Sequence, residues 1–208
     1  MATPRSQQIG IWIIAVVMLV GTLGSFLVMV LSNQNQAKDQ ASLQKAYNTY
    51  QTDVSAQSKQ LSDKYYSTFS QYSATPAAFS VDGITAVTTT DLKVGDGDTL
   101  TDKTAYSAYY IGWNPKGIVF DQSIENGALK APIAGGNLIN GWNEGIIGMK
   151  FGGVREITIP SDKAYGATGS GDNIPPNTPI KFVVMVIPKV ADVPMPQILQ
   201  DYYNSQQQ

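Results

Sequence analysis

"IKFVVMVI", Ile180–Ile187, is the stretch that decides the architecture. A strand with one face in water alternates apolar and polar side chains, because successive side chains point to opposite faces. Here both parities are apolar except at Lys181. The run predicts a central strand of a sheet covered on both sides. Upstream, "AYSAYYIGW" (Ala105–Trp113) and "VREITIP" (Val154–Pro160) read as further strands, and "NPKG" (Asn114–Gly117) as a turn. "LINGWNEGIIGMK" (Leu138–Lys150) breaks the pattern. Ile139, Trp142, Ile146 and Ile147 fall on one face of a short helix, which Gly148 is placed to end. The expectation for residues 77–190 is an α+β domain, an antiparallel sheet with a single short helix laid on one face. In the tail, 191–208, "PQILQDYYNSQQQ" reads as a last short helix that frays.

Composition narrows the chemistry. The chain has 208 residues, a net charge of −2 and only 14% charged residues. Without a basic excess to neutralise phosphates, nucleic acid is not an expected partner. There is no Cys and no His. That removes disulfides, thiol nucleophiles, imidazole general bases and the usual zinc sites. Hydrolases built on Ser-His-Asp or Cys-His are excluded by inventory. No metal or other cofactor is expected. Chemistry that needs no strong acid, base or nucleophile stays open.

Ahead of the domain the sequence divides into three stretches. Residues 1–8 are a short tail. "IGIWIIAVVMLVGTLGSFLVMVL", Ile9–Leu31, carries no charge. It has the length of about 20 apolar residues that a bilayer-spanning helix needs, and exceeds the 7–15 of a signal-peptide core. A transmembrane anchor is the expectation. Arg5 lies before it and Lys38 and Lys45 after it, so the charge bias is small. The short, acid-free, basic N-terminus favours a cytoplasmic N-terminus and an extracytoplasmic domain. Gly21 and Ser25 form a small-xxx-small pair that supports at most weak self-association through the anchor. Residues 32–76 are polar, with Leu43, Tyr47, Tyr50, Val54, Leu61 and Tyr65 at helical spacing. They read as a helical stalk that packs on the domain or pairs weakly. The heptad seam breaks at Gln57 and Lys64, which argues against a long coiled coil, and Pro76 closes the helix.

Large apolar residues flank the turns of the domain: Tyr110, Phe120, Leu138, Ile139, Trp142, Tyr165, Ile174 and Phe182. A sheet laid around the helix would bring several of them to one apolar pocket. Asp121, after Phe120, reads as a turn residue or hydrogen-bond acceptor rather than an acid catalyst. Periodicity alone favours plain core over a pocket for these residues.

The set "YYIGW…GIVFDQS…LINGWNEGIIGMKFGGVREITIP…KAYGATG…IPPNTPIKFVVMVI" resembles the FKBP family of peptidyl-prolyl cis-trans isomerases. The resemblance runs from about Leu92 to Lys189, with the motifs in family order and spacing. It implies a curved antiparallel sheet wrapped around one short helix. It also implies a pocket with Trp142 as the floor under a prolyl ring. Tyr110, Phe120 and Phe182 would be its aromatic walls, and Leu138 and Ile139 its substrate-binding rim. Tyr165 would offer its hydroxyl to a substrate carbonyl. Ile174 would contribute its side chain and backbone N–H, and Asp121 would hold Tyr110. The loop "KAYGATGSGDNIPP" (Lys163–Pro176) would hang Tyr165 and Ile174 over one end.

Two features depart from the family pattern. Ile124–Leu138 contains no aromatic residue, so Leu129 or Ala131 is expected to stand in for a wall. The loop Gly169–Asn173 lacks the more apolar tip of many relatives. The implied activity is peptidyl-prolyl isomerisation of proline-containing polypeptides, assisting folding at or outside the membrane. The alternatives are a non-catalytic chaperone that binds proline segments, and a structural module of a membrane complex.

Overall fold

The computed structural model describes residues 34–207. The expected anchor, Ile9–Leu31, and the N-terminal tail lie outside them. Among the described residues no helix is long and apolar enough to cross a membrane. The elements in order are α1 (Gln34–Phe69), β1 (Thr88–Lys93), β2 (Tyr106–Trp113), β3 (Val119–Gln122), β4 (Ile124–Glu125), β5 (Ala128–Leu129) and β6 (Ile133–Ala134). They continue with α2 (Asn140–Ile146), β7 (Val154–Ile159), β8 (Ile180–Pro188) and α3 (Gln197–Gln206). The chain forms two compact units. The first combines α1 up to Gln57 with the segment from Asp192 onward. Within it α3 forms where a tail helix was expected. Burial chiefly, and then Tyr47, Tyr50 and Tyr202, raise the hydroxyl pKa of Tyr203.

The second unit, Ser58–Ala191, carries the sheet. Its strand order is β1-β7-β8-β2-β3, with β6 also pairing β2. Every pairing is antiparallel. β8 lies inside, paired along its length with β2 from Tyr106↔Pro188 to Trp113↔Lys181, and with β7 from Val154↔Met185 to Ile159↔Ile180. This is the place that its two-sided apolar pattern demands. One core cluster contains Phe182, Val184 and Val186 of β8 with Tyr106, Ala108 and Tyr110 of β2. The other contains Val183, Met185 and Ile187 with Tyr109, Ile111 and Trp113. The alternation is the period of two of a strand, expressed as two cores.

The first core is covered by α2. Its Gly141 and Gly145, one turn apart, face β7. An added Cβ would lie 2.2 Å from Ile159 Cγ2 at Gly141, and 2.5 Å from Ile157 Cγ2 at Gly145. Glycine costs a helix about 1 kcal/mol per residue, and here it permits close approach to the sheet. Arg155, itself buried, donates from Nη1 to the carbonyls of Gly145 (2.9 Å) and Ile147 (3.0 Å), satisfying orphan acceptors at the end of α2. Its other face grips both carboxylate oxygens of Asp91 at 2.6 and 3.2 Å. The sequence placed Ile147 on the buried face of this helix. The helix instead stops at Ile146, Ile147 is extended (φ −59°, ψ 137°) and 49% exposed, and Gly148 follows at φ +80°.

The second core is covered by the end of α1. Phe69 is fully buried there, and Tyr65 and Tyr66 pack beside it. The ring centroids of Tyr65 and Phe69 each lie 6.2 Å from that of Tyr109. Ser62 Oγ accepts the N–H of Leu129 at 2.9 Å. The unit therefore begins at Ser58 rather than at the expected residue 77, and a helix lies on each face, not on one. The end of the stalk is part of the domain because the back of a doubly apolar sheet has to be covered. Replacing Phe69 with Ala in the full chain should cost about 3–5 kcal/mol, read as a lowered urea midpoint at unchanged m-value. Leu43→Ala, in the other unit, should leave that transition in place.

Candidate functional site

The aromatic residues singled out by sequence meet on the first core. Tyr110, Trp142, Ile174 and Phe182 are buried members of one cluster, and Phe120, Leu138, Ile139 and Tyr165 pack against it partly exposed. Phe182, near the start of β8, is the hub. Its ring lies 5.1 Å from Trp142, 5.5 Å from Phe120 and 6.1 Å from Tyr110, at interplanar angles of 77°, 86° and 65°. Tyr110 in turn meets Trp142 edge-on at 5.7 Å and 84°. Edge-to-face pairs at these separations are the favoured aromatic geometry. Gly112 makes room for them, since a Cβ there would lie 2.5 Å from the Phe182 ring and 2.6 Å from that of Phe120.

Polar groups fix the ring orientations. The Tyr110 hydroxyl donates to Asp121 Oδ2. Asp121 Oδ1 accepts the N–H of Gln122 at 2.8 Å, and Lys130 Nζ stands 3.7 Å away. Asp121 is an acceptor, as its setting in the sequence suggested. Burial chiefly, then the hydrogen bond and charge of Asp121, push the Tyr110 hydroxyl far above the ordinary tyrosine value. Burial and then Asp121 raise Tyr165 as well. Both hydroxyls stay protonated and neutral near neutral pH. No hydrogen bond of the Tyr165 hydroxyl is found among the described residues.

The loop after β7 supplies Tyr165 and Ile174. It folds back on itself, with Gly169 N–H donating to Tyr165 O (3.2 Å), Ser170 to Ile174 O (2.7 Å) and Asn177 to Gly166 O (2.8 Å). Gly169 has φ +67°, and a Cβ on it would stand 2.3 Å from Ile174 O. Only glycine closes this turn. Lys163 Nζ, 2.6 Å from Glu144 Oε2, ties the start of the loop to α2.

Leu129 does not stand in for the missing wall. It belongs to the second core, on the opposite face, where the bond to Ser62 holds it. Ala131 is exposed. From this stretch Ile133, placed by pairing Ala108↔Ile133, packs against the first core, as Leu138 does at the stretch's end. Sequence reasoning also passed over Tyr106. Its hydroxyl accepts the indole Nε1–H of Trp142 at 3.0 Å, deep in the core. Gly135 lies against its ring, where a Cβ would come within 2.2 Å. The signal was legible only as the parity of Tyr106 and Tyr110 on one strand. A cleft of about 470 Å³ is lined by Tyr106 together with Thr101–Ala105, Gly135 and Gly136, and Asn143, Glu144 and Ile146 of α2. It gathers none of the converging aromatic rims, so the aromatic cluster is the candidate site.

Tyr106→Phe should remove the acceptor and leave the ring. An unpaired buried donor costs about 1–3 kcal/mol, and the Trp142 indole N–H resonance should move and exchange faster. The Trp113 indole, bonded to Ala77 O at 3.1 Å, is the internal control that should stay in place.

Residues 96–187 match the family model described as FKBP-type peptidyl-prolyl cis-trans isomerase. An FK506-binding protein of Neisseria meningitidis serogroup A is 39% identical over 98 residues, covering 47% of this chain and 90% of that protein. FK506-binding protein 2 of Yarrowia lipolytica is 38% identical over 96 residues, 46% of this chain and 62% of that one. A solved peptidyl-prolyl cis-trans isomerase from Pseudomonas syringae pv. tomato is 27% identical, covering 69% of this chain and 92% of that chain at a TM-score of 0.43. With nine-tenths of the Neisseria protein matched at that identity, the chain belongs to the FKBP-type peptidyl-prolyl cis-trans isomerase family.

Proposed function

We propose that the aromatic cluster takes the prolyl ring of an X–Pro segment and turns the bond over without covalent chemistry. Trp142 is the floor, Tyr110, Phe120 and Phe182 the walls, and Leu138 and Ile139 the rim. Tyr165 donates to a substrate carbonyl, Ile174 adds its side chain and backbone N–H, and Asp121 holds Tyr110. The observation that carries this reading is the Phe182 hub, with three rings edge-on around it and a half-exposed rim.

The barrier to X–Pro rotation comes from amide resonance, which puts it near 18–20 kcal/mol. At the twisted transition state that resonance is lost and the carbonyl oxygen carries less negative charge. An apolar site disfavours the planar, more polar amide more than the twisted one. Tyr165 and Ile174 orient the peptide for the turn. Each 1.36 kcal/mol of such differential binding is tenfold in rate. An inventory with neither His nor Cys is sufficient for this.

The test is the exchange rate of a set of X–Pro peptides, measured by NMR with the full chain. Trp142→Ala should lower kcat/KM by about tenfold or more, because burying an aromatic ring is worth more than one tenfold step. Tyr165→Phe, which removes one hydrogen bond, should lower it by about two- to tenfold. A folded wild-type chain that accelerates none of the peptides would falsify the reading.

The run Ile9–Leu31 supports a second element of the proposal, that the domain serves polypeptides at a membrane from its outer side. The full chain should then sediment with membranes, and added protease should digest the domain without lysis. Recovery in the soluble fraction would sink the tether.

A further inference from the structure

Asn114 opens the turn between β2 and β3, yet it is only 5% exposed. Its Oδ1 accepts the backbone N–H of Lys116 at 3.0 Å and of Ile118 at 3.1 Å. Its own backbone N–H donates to Ile118 O at 3.0 Å, and its carbonyl accepts from Gly117 at 2.9 Å. These bonds complete the turn and need only the acceptor half of the side chain. The donor half points elsewhere. Nδ2 donates across the fold to the carbonyl of Asn173 at 2.8 Å.

Asn173 directly precedes Ile174, which is 4% exposed in the aromatic cluster. The remaining bonds along residues 165–177 are made within the loop. Among the described residues the Asn114 bond is the one side-chain hydrogen bond that ties this stretch to another element. The same turn leads directly into β3, which carries Phe120 and Asp121. One amide thus locks the hairpin that presents a wall to the loop that presents Ile174. A buried Asn whose oxygen and nitrogen are divided between two segments has few replacements. Asp lacks the donor, and Ser lacks the reach.

We propose that Asn114 is a positioning residue of the isomerase site. Its amide sets the height of the Asn173–Ile174 peptide over the aromatic cluster, and so the grip on the residue before proline. The proposal rests on the functional reading given above. Holding the loop in its bound geometry reduces the ordering that peptide binding requires. Its loss weakens ground state and transition state alike, so it appears in KM rather than in kcat.

Two variants of the full chain separate this role from turn formation. Asn114→Asp keeps the acceptor for Lys116 and Ile118 but sets a carboxylate oxygen against the Asn173 carbonyl. Asn114→Ser keeps a hydroxyl able to serve the turn, is uncharged, and does not span to Asn173. In both, KM for X–Pro peptides should rise by about two- to tenfold, with kcat within about twofold of wild type. Amide exchange at Ser170 and Asn177 should quicken, while exchange in β8 should not. Unchanged KM in a folded variant whose Ser170 amide exchanges faster overturns the positioning role. Unchanged exchange overturns it too. If the wild-type chain binds X–Pro peptides without turning them over, the catalytic reading falls. Peptide affinity then replaces KM, and equal affinity in wild type and variants overturns the role of Asn114.

Discussion

Everything in the sheet unit follows from the two-sided burial of β8. Its odd and even residues feed different cores, with Phe182, Val184 and Val186 on one side and Val183, Met185 and Ile187 on the other. β2 obeys the same division opposite it. A slip of one residue in this pairing would exchange the two faces and carry Phe182 away from Trp142. Register is therefore fixed by both cores at once. The demand for cover on each face recruits two different helices, a seven-residue α2 on one side and the end of α1 on the other.

The candidate site is an outgrowth of the first core rather than a cavity set apart from it. Phe182 and Tyr110 are strand residues whose directions are set by the pleat. Trp142 is aimed from a helix held close by Gly141 and Gly145 and capped by Arg155. Rings in edge contact at 5.1 to 6.1 Å have little freedom to turn without disturbing one another. The polar bonds are spent on the same end. Tyr110 is held by Asp121 and Trp142 by Tyr106, so two of the rings are fixed by packing and by a hydrogen bond.

How far this could be read in the sequence depends on the range of the interactions. The central strand, the flanking strands and α2 declare themselves through local periods of two and of roughly four. The candidate site residues stand out as large apolar residues flanking turns, and the fold brings them to one core. Phe69 was also within reach, since Leu61, Tyr65 and Phe69 recur every fourth residue. The stripe names a buried face without naming what buries it. Ile147 misled because helical periodicity continues in the letters after the backbone has left the helix. Tyr106–Trp142 and Asn114–Asn173 join residues 36 and 59 apart, and no local pattern marks such partners.

Leu129 shows the same constraint at work on the β4–β5 hairpin. The β4–β5 hairpin turns both of its large apolar side chains, Ile124 and Leu129, to the back of the sheet. Ser62 on α1 accepts the Leu129 N–H, and Leu129 is 4% exposed against Tyr109 and its neighbours. That choice completes the second core, which without it would leave part of α1 unsupported. From the following strand, Ile133 packs instead against the first core. The end of α1 thus claims the hairpin for the second core, through packing and through the Ser62–Leu129 hydrogen bond.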